Sequence, residues 1–213
     1  MSARSITGVA ADLVSLAGIT GLRGRYEEPW RHYHSWAHPI AMLEHLGRAE
    51  LDGVSIADRE AAVGFVLWHD AIYDPEAPHG RNERLSAALC RMELAPLVSG
   101  RTVERAIAAI LATIDHRAPP AEASPDAPLL LDIDLSILGA SEAGFAAYDA
   151  AIAREYAHVA PDAYRTGRAA VLRRFLERDR LFLTDWGHAR WEARARSNLA
   201  RAIDALAETP PEG

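Results

Sequence analysis

Apolar residues recur along this chain with the spacing of a helix almost from end to end, and segments that alternate like a half-buried strand are few. That periodicity predicts an all-α fold. Candidate helices run over 5–17, 36–50, 57–73, 82–95, 102–115, 130–138, 141–158, 162–180 and 188–207. Asp58, Asn82, Thr102, Ser141 and Asp162 stand where N-caps belong, because their short polar side chains can accept an unpaired amide of the first turn. Gly139 and Pro161 fall between segments, as breakers should. The stretch 116–128 holds four prolines but is too short to separate domains. With 213 residues, 49% of them hydrophobic, the chain can bury a sizeable core. We therefore expect one helical domain of about nine helices over residues 1–208, followed by a frayed Pro- and Glu-rich tail at 209–213.

Composition excludes several functions. The net charge is −7, which argues against a general binder of nucleic-acid polymers or anionic membranes. No lysine is present, so all 23 basic residues are arginine. This removes the lysine of a phosphate-binding Walker loop and any lysine Schiff base. The single cysteine, Cys90, rules out an internal disulfide and any zinc site with two thiolates. Its neighbours Ala87, Ala88 and Leu89 suggest a buried helical thiol, and the chain fits a reducing cytoplasm. Asp12 interrupts the apolar N-terminal stretch, which reads as a helix and not a signal peptide. No apolar run approaches the roughly 20 residues of a membrane span, so no membrane partner is expected. Gly18, Gly21 and Gly24 follow no strand, no GxSxG is present, and Cys90 has no adjacent histidine. Dinucleotide-binding, esterase and thiol-hydrolase readings are thus unsupported.

The polar residues that remain are unevenly placed. Four of the nine histidines, His32, His34, His38 and His45, are close together. His69-Asp70 lies inside the apolar segment 63–73, with Asp74 one turn further on. Asp115-His116 closes another helix, and Asp132 and Asp134 interrupt the apolar run LLLDIDLSIL. Charged groups among apolar side chains need compensation. A bound divalent cation would provide it for all of them: two neutral imidazoles, two carboxylates and a 2+ ion sum to zero. Nitrogen and oxygen donors without thiolate suit Mn, Fe, Co, Ni, Zn or Mg. An open position on such an ion can hold a water of lowered pKa.

The order His38, then His69-Asp70, then Asp134 resembles the H…HD…D pattern of the HD-domain superfamily of metal-dependent phosphohydrolases. RHYHSWAH (31–38), LWHDAIYDP (67–75), RNERLSA (81–87), TIDH (113–116) and LDIDLSILG (131–139) are similar to the small bacterial HD proteins described as predicted phosphohydrolases. The helical segment 164–182 and ARSNL (195–199) carry the likeness further, over about residues 25–205. The resemblance implies a metal-binding helical domain in which His38, His69, Asp70 and Asp134 are the ligands. Asp134 is chosen over Asp132 because the superfamily's last ligand is usually the second Asp of a DxD. On a regular helix the two point about 200° apart, so only one can face the ion. Tyr33-His34 followed by His38 resembles a phosphodiesterase motif whose first histidine is a general acid, which assigns that role to His34. Ser35 and Trp36 depart from that motif.

Asp74 is a further catalytic candidate. Arg81, Asn82 and Glu83 are candidates for orienting ligands, water or substrate. His116 is expected within reach of the ion's open side, to bind phosphate or a second metal. Its alternative role is that of an imidazole at a helix C-terminus. Arg168 is a candidate phosphate clamp. The implied activity is hydrolysis of a small phosphate ester or anhydride, nucleotides among them, by metal-activated water. Two other classes compete. An HD-type di-iron oxygenase would need further histidines between the doublet and the last aspartate, where this chain has only His79 and His116. A ligand sensor would keep the metal without turnover.

Overall fold

A computed structural model describes residues 5–16 and 20–208. Among these it contains ten α-helices, one short 3-10 helix and no strand, so the fold is all-α. The tail at 209–213 and the last residue of the first candidate helix lie outside the described residues. The chain forms two compact units, one through Ile133 and one from Asp134.

The first unit contains α1 (Ile6–Leu16), α2 (Thr20–Tyr26), α3 (Ala37–Leu51), α4 (Arg59–Trp68), α5 (Arg81–Leu94) and α6 (Gly100–Ala112). Helix α7 (Ala127–Asp134) completes it, its last residue marking the boundary. Every residue of α4 from Ala61 to Trp68 is buried, which makes α4 the central helix of the unit. Asp58 caps it as expected, accepting the amide of Ala61 at 3.0 Å. Helix α3 precedes α4 through the short segment 52–58, and Glu50 near the end of α3 pairs with Arg59 at the start of α4. The two helices therefore run antiparallel, and the first turn of α3 comes to the last turn of α4. Asp126, just before α7, accepts the amides of Ala57 at 2.9 Å and Asp58 at 2.8 Å. Helices α4 and α7 thus begin at one anchor.

Several boundaries differ from expectation. Helix α4 stops at Trp68, not at residue 73. Tyr26 Oη donates to Leu67 O at 3.0 Å, a carbonyl that another turn would have used, and Arg31 donates to Asp70 O and Ala71 O in the turn that follows. Helix α2 was not anticipated, since Gly21 and Gly24 weaken a helical reading of so short a segment. The cap of α5 is Gly80 and not Asn82. Gly80 has φ +74, a left-handed conformation that favours glycine. The cap of α6 is Ser99, whose hydroxyl accepts the amide of Thr102 at 3.2 Å, so Thr102 is already inside the helix. Cys90 is fully buried. That burial, with Glu93 adding to it, pushes the thiol up to about 12.

The second unit contains the 3-10 helix Leu135–Gly139, α8 (Glu142–Glu155), α9 (Pro161–Leu176) and α10 (Asp185–Glu208). Ser141 caps α8 as expected, accepting the amide of Gly144 at 3.2 Å. In α9, Pro161 occupies the first turn and Ala160 is the cap, so Asp162 lies inside the helix. The unit is organised by α10, whose polar side chains close the ends of its neighbours. Asn198 donates to Leu138 O and Ala140 O at 2.8 and 3.1 Å, and Arg194 donates to Gly139 O at 2.8 Å. Arg196 donates to the carbonyls of Leu176, Arg178 and Asp179, which follow or end α9. A Cβ on Gly139 would lie 2.5 Å from Cβ of Trp191, so only glycine lets α10 approach this closely. Among the described residues, no helix is long and apolar enough to cross a membrane.

Candidate metal centre

The ends of three helices supply the donors. His38 is the second residue of α3, His69 is the C-cap of α4 and Asp134 ends α7. Each offers one ligand atom, and the three atoms all lie within 4.8 Å of one another. His38 and His69 are 7% and 1% exposed. Their Nε2 atoms are 3.2 Å apart. Asp70 adjoins them, with Oδ2 3.0 Å from His69 Nε2 and 3.9 Å from His38 Nε2.

The tautomer of His69 follows from its surroundings. Its Nδ1 lies 3.1 Å from the carbonyl oxygen of Val66, which can only accept, so Nδ1 carries the proton. In the neutral ring Nε2 then presents a lone pair toward His38. A second group holding the remote ring nitrogen is how proteins fix a metal-binding histidine. The ring also stacks on Phe65, with centroids 5.2 Å apart. Two close imidazole nitrogens and two carboxylates, mostly shielded from water, suit a divalent cation. One ion satisfies the converging lone pairs and balances the carboxylates. The donor set therefore fits a metal, and His38, His69 and Asp134 can hold it, with Asp70 at their side. Asp132, two residues before Asp134, is 1% exposed and is not one of these three.

The other candidates are spread more widely. The ring of His34 stacks on Tyr73 with centroids 4.2 Å apart and lies 6.3 Å from that of His38. Asp74 is exposed, and its Oδ1 accepts the amide of Glu76 at 2.9 Å. Asn82 brackets the backbone of Asp74, accepting from its amide at 3.2 Å and donating to its carbonyl at 2.9 Å. It therefore fixes the loop that follows the His-Asp doublet. Arg81 and Glu83 occupy the first turn of α5, Arg81 exposed and Glu83 half-buried. His116 is half-buried beyond α6 with φ +47, and it is not one of the three converging residues. Arg168 is buried in the second unit, where Asp149 Oδ1 accepts from Nε at 3.0 Å and Nη2 at 2.8 Å. Burial works against its charge, but Tyr148 and Asp149 outweigh burial and hold the guanidinium above its ordinary pKa. A phosphate at Arg168 would have to compete with Asp149.

Three contributors were not identified from sequence. Tyr26 takes the carbonyl of Leu67 near the end of α4, and Arg31 takes those of Asp70 and Ala71 in the turn that follows. Ser86 of α5 accepts the amide of Ile72 at 3.0 Å and donates to its carbonyl at 3.3 Å. These contacts hold the turn that carries Asp70. Arg31 lies within the quoted RHYHSWAH, but nothing in the linear sequence says which carbonyls a guanidinium will reach.

No protein-family model, curated protein or solved structure gives a significant match to the chain.

Proposed function

We propose that this protein is a metal-dependent phosphohydrolase of the HD type, acting on a small phosphate ester or anhydride, with nucleotides as candidate substrates. The observation that carries the reading is the convergence of His38, His69 and Asp134 within 4.8 Å, with Asp70 against both imidazoles. Three of the four residues in the H…HD…D order of the sequence resemblance are in this group, and the fourth, Asp70, adjoins it.

A bound divalent ion supplies Lewis acidity toward a phosphoryl oxygen and lowers the pKa of a coordinated water. The chain's own residues do the rest. His38 and His69 hold the ion as neutral donors, and Asp70 and Asp134 balance its charge. His34 delivers a proton from an imidazole N–H to the leaving oxygen. Stacking on Tyr73 limits the rotation of its ring. Asp74 keeps one carboxylate oxygen on the Glu76 amide and offers the other to a water.

The test is a turnover screen of metal-stripped protein reconstituted with single ions, against nucleotides and phosphomonoesters. Phosphate release should require the ion and vanish in His69→Ala. His34→Ala should lower kcat by about 100-fold or more, within the range of lost general acid catalysis, with little change in KM. Ion-independent release, or a fully active His69→Ala protein, contradicts the proposal. Oxygen uptake with iron and no phosphate release would assign the site to the oxygenase class.

A further inference from the structure

We infer that Arg31 is a positioning residue for the metal centre: its guanidinium ties the segment carrying His34 and His38 to the turn carrying Asp70. This rests on the metal-binding reading above. Nη1 of Arg31 donates to His34 O at 3.1 Å and to Asp70 O at 2.7 Å, and Nη2 donates to Ala71 O at 3.2 Å. One planar group thus spans two stretches of backbone 36 residues apart in sequence, each adjoining metal donors. The side chain is fully shielded from water and Nε is paired with Glu28 at 2.9 Å. Its guanidinium carbon lies 5.1 Å from the ring centroid of Tyr26 and 5.4 Å from that of Tyr73, the ring on which His34 stacks.

A buried arginine used only to satisfy the turn after α4 would need just the carbonyls of residues 70 and 71. The bond to His34 O adds something that helix termination does not require. It fixes the spacing between the two backbone stretches of the donor set before any ion arrives. Preorganisation of this kind appears in affinity, because the ion does not then have to order the segment. Lysine cannot replace it. An ammonium is a point donor without the planar fork that meets several carbonyls at once.

The experiment is calorimetric titration of the metal-free protein with Zn²⁺ and with Mn²⁺, for wild type, Arg31→Met and Arg31→Lys. Each is studied at a temperature where its own melting curve shows it fully folded. Wild type should bind one ion. Arg31→Met should bind about 10- to 100-fold more weakly, the usual range for groups that orient ligands. Arg31→Lys should recover part of the thermal stability, because a cation remains at the C-terminus of α4, but not the affinity. If Arg31→Met does not fold, the Arg31→Lys comparison alone decides. Affinities within twofold of wild type in the folded variants overturn the inference and leave the metal site standing. Absence of binding in wild type overturns the metal reading itself.

Discussion

His69 and Glu192 show how one buried polar side chain can order its surroundings. The ring of His69 is fixed from behind by Val66 O and from the side by Phe65, so Nε2 has one direction to face. Glu192 plays a comparable part in the second unit, where its carboxylate accepts the amides of Leu181 and Phe182 and the Nε of Arg196. Burial alone would raise its pKa. The two amides and Arg196 outweigh burial, and the carboxyl is held below its usual 4.5. A carboxylate with a lowered folded pKa contributes stability that is full above 4.5 and is lost as pH falls through the folded value. Glu192→Gln should therefore be destabilised by about 2 kcal/mol near pH 7, the scale of hydrogen bonds to a charged group. The gap from wild type should close as the pH drops below 4.5. Denaturant melts at pH 7 and pH 3.5 check this, and an equal gap at both values would contradict it. The His-Asp doublet was legible in sequence because charge inside the run 63–73 demands a partner. The networks of Glu192 and Arg31 were not, since their partners are backbone groups that only the tertiary fold brings near.

Helix ends are where this chain's sequence and its structure part most often. Periodicity locates the body of a helix, but its termination depends on what satisfies the last carbonyls. The side chain of Tyr26 takes a carbonyl in the last turn of α4, Arg31 takes two in the turn that follows, and the carbonyls at and after the end of α9 are taken by Arg196 from α10. None of these was visible from local sequence. Local caps fared better, as at Asp58 and Ser141. At the end of α6 the expected helix runs to residue 115 and the observed one stops at Ala112. Arg117 donates its amide to Ala112 O at 3.2 Å, and His116 between them has φ +47. This is the helix-ending turn in which glycine is the usual left-handed residue. His116 thus has a structural role that requires no ligand. His116→Gly should be as stable as wild type or more so by up to about 1 kcal/mol, because the left-handed strain on a Cβ is relieved. Its metal affinity should be unchanged. A large fall in affinity on titration would instead place His116 at the metal centre.

At the scale of the whole molecule, a net charge of −7 and the half-buried carboxylates of Asp70 and Asp134 favour a cation at this group. Asp134 and Asp70 lie close to the imidazoles of His38 and His69, and a 2+ ion would offset the charge that the two carboxylates bring together. The all-α class was legible because helical periodicity is a local signal. Misplaced charge marked the polar residues, but the choice of His38, His69, Asp70 and Asp134 among them came from the H…HD…D resemblance, and three of those four converge. The division at the end of α7 was not legible, because it depends on contacts between segments far apart in sequence. Binding to the folded state alone stabilises it by RT ln(1 + [M]/Kd), about 2.7 kcal/mol at a hundredfold excess over Kd, so added ion should raise the melting temperature. The most direct measurement is calorimetric titration of metal-free protein with a divalent ion, wild type beside Asp134→Ala. The account predicts one ion per wild-type chain. In Asp134→Ala the affinity should fall by more than the roughly 100-fold typical of changes that only reorient ligands. No binding to wild type, or equal affinity in Asp134→Ala, would contradict it.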